Sequence, residues 1–363
     1  MNTARTARTA GSTSTTGATG TTSRTRPARR WLLVAVLAAA VLALVIARVL
    51  LGTPFVYADL AVRALLGEQI PGISFIVMDD RLPAAVVGAL GGASLGLSGT
   101  VFQTLLRNPL ASPDVIGVTL GSSAAAVAAM ALLDAQGLAL FWWTLLGGIA
   151  TALLVLWVAR AHRPGGPGAG GAGAVDDRFV LVGIGVAAAL TALVQYLLSR
   201  MATQQAGETM HWLVGSLSGA TWPRAGILAA ALVVLIPALA ALVGRLRILQ
   251  LGDDTAASLG LPVPATRIAL VLVGVLLSSF TVAVTGPLAF VAFLAGPLAR
   301  LLAGRPTFAL SALVGAVLVL AADVAGQNLF GRVEMPAGVI TGALGAPFLL
   351  WMLVRSRTPG RDR

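Results

Sequence analysis

The side chains that perform most enzymatic chemistry are scarce in this sequence. Its 363 residues contain no cysteine and only two histidines, His162 and His211, and all 25 basic residues are arginine. Thiolate catalysis, disulfide bonds and iron–sulfur clusters need cysteine, and His211 has no second ligand at a spacing that suits a metal. A Walker A loop and Schiff-base chemistry each need lysine. We therefore expect no catalytic residue, no metal site and no cofactor in this chain.

Acidic residues are the remaining candidates for chemistry, and most of them fall in loops. Asp323 is the principal exception, because it lies near one end of an apolar stretch. An ionisable side chain inside a membrane span is a functional candidate by default. Two interpretations are open: contact with a substrate, or a structural partner for Arg332 or for backbone amides. The structural interpretation is the one we favour.

The elements that position these residues are apolar helices. Hydrophobic residues make up 57% of the chain and charged residues 11%, whereas soluble domains carry about 25% charged residues. Such a chain presents most of its surface to lipid, which excludes a soluble enzyme and a disordered scaffold. The composition and the pattern predict an all-α polytopic membrane protein with about ten transmembrane helices. The ten apolar stretches are Trp31–Leu50, Ala84–Leu105, Val115–Leu133, Leu140–Ala159, Phe179–Ser199, Ala225–Val243, Arg267–Val284, Pro287–Leu302, Phe308–Ala325 and Gly338–Val354.

The first stretch is preceded by Arg29 and Arg30, as a signal peptide would be. The hydrophobic region of a signal peptide spans about 7–15 residues, so this stretch of 20 residues predicts a retained helix instead. The short eighth stretch is open to a second interpretation, a broken or re-entrant segment.

Arginine placement predicts the orientation of the chain. With the amino terminus in the cytoplasm, 19 of the 25 arginines fall on the cytoplasmic side, as the positive-inside rule requires. This bias accounts for the formal charge of +11 through topology and anionic lipid, without nucleic acid. We expect a disordered basic cytoplasmic tail over residues 1–30, a transmembrane domain over 31–355 with a Gly/Pro-rich cytoplasmic linker at 162–177, and a second cytoplasmic tail over 356–363.

Small residues on the second stretch predict close helix packing. Gly88, Gly92 and Gly96 recur every four residues and so share one helical face, which lets another backbone approach. The helix should end near Arg107, because Pro109 and Pro113 disfavour helix at the residues before them. Arg107, Asn108 and Pro109 then form a short turn at the cytoplasmic surface.

The cytoplasmic loop 245–266 predicts a small exposed helix. Gly252 and Asp253 can begin it, and Gly260 and Pro262 end it. A compact helix between two spans is suited to receive force from a partner, and a solvated surface turn is the alternative. The residues assigned to this role are Gly252, Asp253, Asp254, Ala257, Ser258, Leu259 and Gly260.

Several ordered motifs together resemble the permease subunits of ATP-driven importers of the iron-siderophore, haem and vitamin B12 class, the FecCD-type family of ABC importers. The resemblance runs from about Arg81 to the carboxyl end, about four-fifths of the chain. The motifs are Arg81-Leu82-Pro83 with Gly91–Leu95, Gly99–Gln103, Arg107–Ala111, Leu251–Pro262, Gly286–Val291 and Glu334–Gly338.

The resemblance implies a type II ABC importer permease in the cytoplasmic membrane, which is a transporter and not itself an enzyme. It implies a second permease subunit, an external substrate-binding protein and two cytoplasmic ATPase subunits that hold ATP and Mg. In that setting Gly252 to Gly260 match the helix that docks into the ATPase, and Arg107 lies near the same surface. The expected cargo is a ferric siderophore, with haem or cobalamin as alternatives. The residues expected to dock the binding protein are Arg63, Arg81, Arg332 and Glu334.

Three positions depart from the family pattern. Ala84 and Gln327 stand where the family often has arginines, and Gly296-Pro297 replaces its Pro-His. Because external arginines grip acidic partners through charge-assisted hydrogen bonds, we expect this chain to be one half of a heterodimer whose other half keeps more docking charges. The alternatives from other classes are an ion-coupled secondary transporter, which usually needs acids buried at the bilayer midplane, and a signalling scaffold.

Overall fold

The computed structural model describes residues 25–161, 172–330 and 333–356, and within these ranges the chain is helical without β-strands. Most of the first predicted tail, residues 162–171 of the linker, Arg332 and residues 357–363 lie outside the described residues. The helices are α1 (Thr25–Leu50), α2 (Ala58–Leu65), α3 (Ile73–Phe75), a π-helical turn (Ile76–Arg81), α4 (Leu82–Leu105), α5 (Val118–Leu133), α6 (Gly137–Ala161), α7 (Ala172–Arg200), α8 (Thr203–Val214), α9 (Trp222–Leu249), α10 (Asp253–Ser258), α11 (Val263–Thr285), α12 (Val291–Ala303), α13 (Phe308–Asn328) and α14 (Ala337–Ser356).

Ten of these helices correspond to the ten predicted apolar stretches. Within the described ranges, eight helical segments are long and apolar enough to cross a membrane, namely α1, the continuous run of α3, the π-helical turn and α4, then α6, α7, α9, α11, α13 and α14. Two shorter apolar helices, α5 with 16 residues and α12 with 13, complete the set. The prediction of an all-α polytopic membrane protein is therefore confirmed.

The short helix α12 is preceded by irregular backbone. Its 13 residues rise about 20 Å, less than a hydrocarbon core of about 30 Å. Non-helical backbone at membrane depth is tolerated where protein groups satisfy it. Here the amide of Ser216 donates to the carbonyl of Thr285 at 2.9 Å, and the amide of Gly338 donates to the carbonyl of Gly215 at 3.1 Å. The irregular segment that follows α8 is thus bound to the last residue of α11 and to the first turn of α14.

Helix α4 lies at the centre of the bundle, where neighbouring backbones touch it directly. A Cβ atom at Gly92 would lie 2.7 Å from Cα of Ala316 in α13. A Cβ atom at Gly96 would overlap the carbonyl oxygen of Ser311, one further turn along α13. Gly88, on the same face, meets only side-chain ends, at 2.8 Å from Cδ1 of Leu217. Glycine at 92 and 96 is therefore what allows α4 and α13 to pack at this distance.

Polar contacts hold the other side of α4 to α11. The hydroxyl of Ser94 donates to the carbonyl of Leu277 at 2.7 Å, and the hydroxyl of Ser98 donates to the carbonyl of Gly274 at 2.7 Å. Both serines are fully buried. Interhelical hydrogen bonds of this kind contribute about 0.6 kcal/mol each in membrane proteins, so their main effect is to fix the register of the two helices.

A buried ion pair joins α1 to α13. The Nε of Arg48 lies 2.5 Å from Oδ2 of Asp323, and the two side chains are 3% and 4% exposed. Asp323 thus has a charged partner that was not predicted, from the far end of the sequence, while Arg332 lies outside the described residues. The physical reason is that α1 packs beside α13 and brings Arg48 next to Asp323. Either charge alone would be costly to bury, so each is stabilised by the other.

The glycine contact between α4 and α13 predicts a position-specific effect of alanine. Gly96→Ala is expected to lower the thermal unfolding midpoint, because overpacking against backbone costs about 1–3 kcal/mol. Gly185→Ala in α7 is the matched control, since nothing lies within 4 Å of a Cβ atom there. That change should leave stability equal or higher, given the better helix propensity of alanine. Tryptophan fluorescence in detergent measures both, and equal midpoints would contradict the packing described.

The ion pair predicts strong non-additivity between its two members. Arg48→Met and Asp323→Leu are each expected to destabilise by about 3–5 kcal/mol, because each leaves a buried charge unpaired. The double variant should lose less than either single variant, since it removes both charges. The same fluorescence unfolding experiment tests this cycle. Additive losses would show that the two side chains do not interact.

Candidate functional site

A cavity of about 700 Å³ runs along one side of the bundle. Its wall is built by the turn between α4 and α5, the first turn of α5, the end of α8, the irregular segment before α12, and α14. Most of the lining is apolar or small, and among the described residues that line it Asp114 alone carries a charge. The lining residues include Asn108, Leu110, Asp114, Ile116, Thr119, Leu213, Val214, Pro287, Phe290, Phe293, Gly338 and Leu349.

Asp114 stands just before α5 and faces this cavity. The hydroxyl of Thr119 donates a hydrogen bond to its carboxylate, and the amide of Gly117 donates to its carbonyl at 3.1 Å. Burial raises the pKa of the Asp114 carboxyl, and the hydrogen bond from Thr119 opposes that shift. The cavity therefore holds a carboxyl group that is easier to protonate than one in water.

The turn after α4 is fixed by its own backbone and by one long side chain. Arg107 has φ of 50°, and the amide of Asn108 donates to the carbonyl of Gln103 at 3.1 Å, which closes the end of the helix. The Asn108 side chain accepts from the amide of Leu110 at 2.9 Å. Arg107 donates from Nη2 to the carbonyl of Leu249 at 2.7 Å, which ties this turn to the end of α9.

The predicted small helix is present as α10, which begins after Gly252 with φ of 111° and ends before Gly260 with φ of 79°. The carboxylate of Asp253 accepts from Nη2 of Arg267 at 3.3 Å, which holds α10 against α11. Ala256, on the inner face of α10, is fully buried. The other proposed docking residues of α10 face outward: Asp254, Ala257, Ser258, Leu259 and Gly260 are all exposed.

These elements share one end of the bundle, which we call the amino-terminal end because α1 begins there. Arg29 of α1 donates to the carbonyl of Leu302 near the end of α12 at 3.4 Å. The contact of Arg107 with Leu249 places the turn after α4 beside the end of α9, four residues before α10. The structure thus brings together two sets of predicted residues, the Arg107–Pro109 turn and the α10 set.

The residues predicted to dock a binding protein have different surroundings. Arg63 and Glu68 form an exposed ion pair, and the hydrogen bond from Arg63 lowers the pKa of Glu68. Glu334 is exposed. Arg332 lies outside the described residues. Arg81, the fourth of these residues, is only 4% exposed in the isolated chain.

Arg81 holds the end of α1. Its guanidinium donates to the carbonyls of Val49 at 2.9 Å and Pro54 at 2.7 Å, and so satisfies backbone groups that follow the last turn of the helix. Arginine reaches several carbonyls at once because its donors form a rigid fork. The residue therefore serves the packing of α1 against the π-helical turn.

The structure also shows the surroundings of the three departures from the family pattern. Gln327 donates from Nε2 to Oδ1 of Asp323 at 3.5 Å. A Cβ atom at Gly296 would overlap Oε1 of Gln103, so glycine there makes room for that side chain, which donates to the carbonyl of Phe293 at 3.1 Å. Ala84 is buried in the main hydrophobic cluster. His211 is exposed on α8.

One residue of the site and one buried charge elsewhere were missed by sequence reasoning. Arg48 lies two residues before the end of α1, after the apolar run that begins at Trp31, a signal that indicated a buried partner. Asp114 follows Pro113 and precedes an apolar helix, a pattern shared by many ordinary helix starts, so no signal singled it out. Among the described residues no cluster of three His, Cys, Asp or Glu side chains could hold a metal ion.

Comparison with known proteins bears on this arrangement. Ferric enterobactin transport system permease protein FepG of Escherichia coli (strain K12) is 38% identical over 80% of this chain and 86% of its own. Achromobactin transport system permease protein CbrC of Dickeya dadantii (strain 3937) is 38% identical over 81% and 83%. Fe(3+)-citrate import system permease protein YfmE of Bacillus subtilis (strain 168) is 33% identical over 91% and 97%.

A solved structure shares the fold. A chain described as a metal-chelate type ABC transporter in an inward-facing conformation superposes with a TM-score of 0.76, at 24% identity, over 89% of this chain and 99% of that one. The model of the FecCD transport family matches residues 34–355. The resemblance inferred from the motifs is therefore confirmed, and the chain belongs to the FecCD transport family of ABC importer permeases.

Proposed function

We propose that this chain is the membrane-spanning half of an importer that moves a ferric siderophore into the cell, powered by a separate ATPase. The observation that carries the proposal is the link between the cavity and α10. Asn108 and Leu110 line the cavity, their neighbour Arg107 binds Leu249, and α10 follows four residues later. Movement of α10 is thereby passed to the cavity wall, as alternating access between two states requires.

The partners follow from what the chain lacks and what it exposes. A lysine-free chain has no Walker A lysine, so ATP and Mg are assigned to a cytoplasmic ATPase dimer that receives α10. The exposed Leu251 and Leu259, at 62% and 63%, flank α10 and offer apolar anchors for that subunit. A second permease subunit is assigned because the family resemblance implies one. We assign that subunit to a similar but non-identical chain, and docking of an external binding protein to the opposite end, with Arg63, Glu334 and Arg332.

The amino-terminal end is assigned to the cytoplasm. It holds the start of α1, the turn after α4 and α10, and most of the arginines predicted to be cytoplasmic. Both termini then lie inside. The other end, with Arg63 and Glu334, faces the side from which a binding protein delivers cargo.

The cargo is assigned by the chemistry of the cavity together with the relatives. The three relatives described above are named for ferric enterobactin, achromobactin and Fe(3+)-citrate. A lining of apolar and small polar residues suits a bulky chelate whose metal is already wrapped by its own ligands, and it does not suit a bare ion. Haem and cobalamin are the alternatives of similar size.

An ion-coupled mechanism is disfavoured by the position of Asp323. Coupling needs an acid that binds and releases a cation at the membrane midplane. In this structure Asp323 is paired with Arg48 and is 3% exposed. Its charge is balanced by a permanent cation, which leaves it a structural role.

The docking assignment predicts that α10 tolerates small residues and rejects bulky ones. Ala257→Trp is expected to reduce uptake of a radiolabelled ferric chelate at least tenfold, because the ring would separate α10 from the ATPase surface. Ala257→Ser is the matched control and should keep uptake near the wild-type level. Because the chain has no cysteine, Ala257→Cys also permits crosslinking to an ATPase with one introduced cysteine. Full uptake by the Trp variant without a crosslink would contradict the assignment.

The environment of Asp114 predicts a pH dependence of stability. Its folded-state pKa is raised, so the contribution of Asp114 to stability is fully present below the ordinary carboxyl pKa of about 3.9 and is lost as pH rises through the raised value. The unfolding midpoint of wild type should therefore fall over that window more steeply than that of Asp114→Asn. Thr119→Val removes the opposing hydrogen bond and should move the window to higher pH. Identical pH profiles for wild type and Asp114→Asn would show that this carboxyl is not perturbed.

A further inference from the structure

A second, smaller cavity lies at the amino-terminal end of the bundle, on the other side of the turn after α4. Its volume is about 240 Å³, below the roughly 300–1,000 Å³ typical of pockets for drug-sized ligands. It is built where α4, α9 and α12 end. The side chains used in the argument below are Thr104, Arg107, Gln250 and Arg300, which all line it.

The charge of this cavity is not balanced by protein groups. Two guanidinium groups, from Arg107 and Arg300, line it, and no acidic residue is among its described lining residues. Neither arginine takes part in an ion pair formed among the described residues. Two positive charges in one small cavity repel each other unless an anion lies between them.

Unsatisfied polar atoms belong to the same cavity. The Oγ1 of Thr104 and the Nε of Arg300 are buried without a hydrogen-bond partner among the described residues. Thr104 is only 9% exposed. Buried donors without partners cost about 1–3 kcal/mol each, so such a pair in one cavity points to a ligand that accepts hydrogen bonds.

The ends of three helices offer a simpler explanation for the two cations, but it leaves the buried Nε of Arg300 without an acceptor. Helix carboxyl ends attract cations through their free carbonyls, and Arg107 does donate to the carbonyl of Leu249. The Nε of Arg300 has no such acceptor. Arg107 also has φ of 50° at the end of α4, where glycine is the usual residue because it avoids the left-handed penalty. The strained position carries a long cationic side chain instead.

We propose that this cavity binds one phosphate group. Arg107 and Arg300 supply guanidinium donors from different elements, and the Thr104 hydroxyl and the Gln250 amide supply neutral ones. Four donor-bearing side chains in one small cavity match the several oxygens of a phosphate better than the two of a carboxylate, and arginine recognises phosphate with paired hydrogen bonds. The source of the phosphate is either an anionic lipid headgroup or inorganic phosphate. The proposal does not depend on the cargo or on transport, because its readout is binding.

The test uses the full-length chain with the subunits that co-purify with it. In one arm, nanodiscs of phosphatidylcholine are titrated with inorganic phosphate and the unfolding midpoint is recorded. In the other, the delipidated complex in detergent is titrated with dioctanoyl phosphatidylglycerol and analysed by native mass spectrometry. Binding in the first arm identifies a free anion and binding in the second a headgroup, and either supports the proposal.

The variants separate binding from folding. Arg300→Gln is expected to weaken binding about tenfold or more, the loss that follows removal of a charge-assisted hydrogen bond. Thr104→Val should weaken it by a smaller factor. Arg305→Gln is the matched control. Arg305 lies in the loop that follows α12, is exposed and does not line the cavity. Phosphate or lipid should stabilise wild type and Arg305→Gln but not Arg300→Gln.

Three results would overturn the proposal. The first is no binding by wild type in either arm. The second is a loss of stability in Arg300→Gln that is the same with and without phosphate, which would show a purely structural arginine. The third is stabilisation by acetate equal to that by phosphate. It would identify a binding site for a carboxylate, such as an acidic side chain of a partner subunit.

Discussion

Contact between backbones, without intervening side chains, is the constraint on which the rest of this structure depends. Lipid offers no hydrophobic force that drives one helix against another, so association relies on close packing and hydrogen bonds. At Gly92 and Gly96 the backbone of α13 fills the space that a side chain would occupy. Gly99 extends the same relation to α12, where a Cβ atom would overlap the carbonyl of Ala292. Helix α4 is thereby fixed on two sides, which in turn fixes the position of the turn that follows its last residue.

The turn after α4 separates two cavities, a large apolar one and a small polar one. The turn contributes Asn108 and Leu110 to the large, mostly apolar cavity and Arg107 and Pro109 to the small polar one. The bond from Arg107 to the end of α9 belongs to the same turn. Both cavities are therefore connected to the end of α9 through this one turn, whose backbone is closed by hydrogen bonds.

The fold was predictable from the sequence to the extent that it depends on local patterns. Apolar length located eight helices long enough to span a membrane and two shorter apolar helices, and the glycine and proline around Asp253 located α10, since these signals act within a few residues. The partner of Asp323 could not be found in this way, because Arg48 is 275 positions away and Arg332 is nearer in sequence. The burial of Arg81 could not be foreseen for a related reason: an arginine at the end of a span is exposed or buried according to how the chain folds around it. The two cavities depend on which helices converge, and no local pattern encodes that.

The pairing of Arg48 with Asp323 has a consequence for how the protein is made. Helix α1 leaves the ribosome before α13, with an arginine near the end of its apolar run, and the matching carboxylate is synthesised 275 residues later. Until then Arg48 must extend toward lipid headgroups or water, since a lone charge in hydrocarbon is costly. Arg81, made only 33 residues after Arg48, holds the end of α1 through backbone carbonyls, so the helix is anchored long before its own charge is paired.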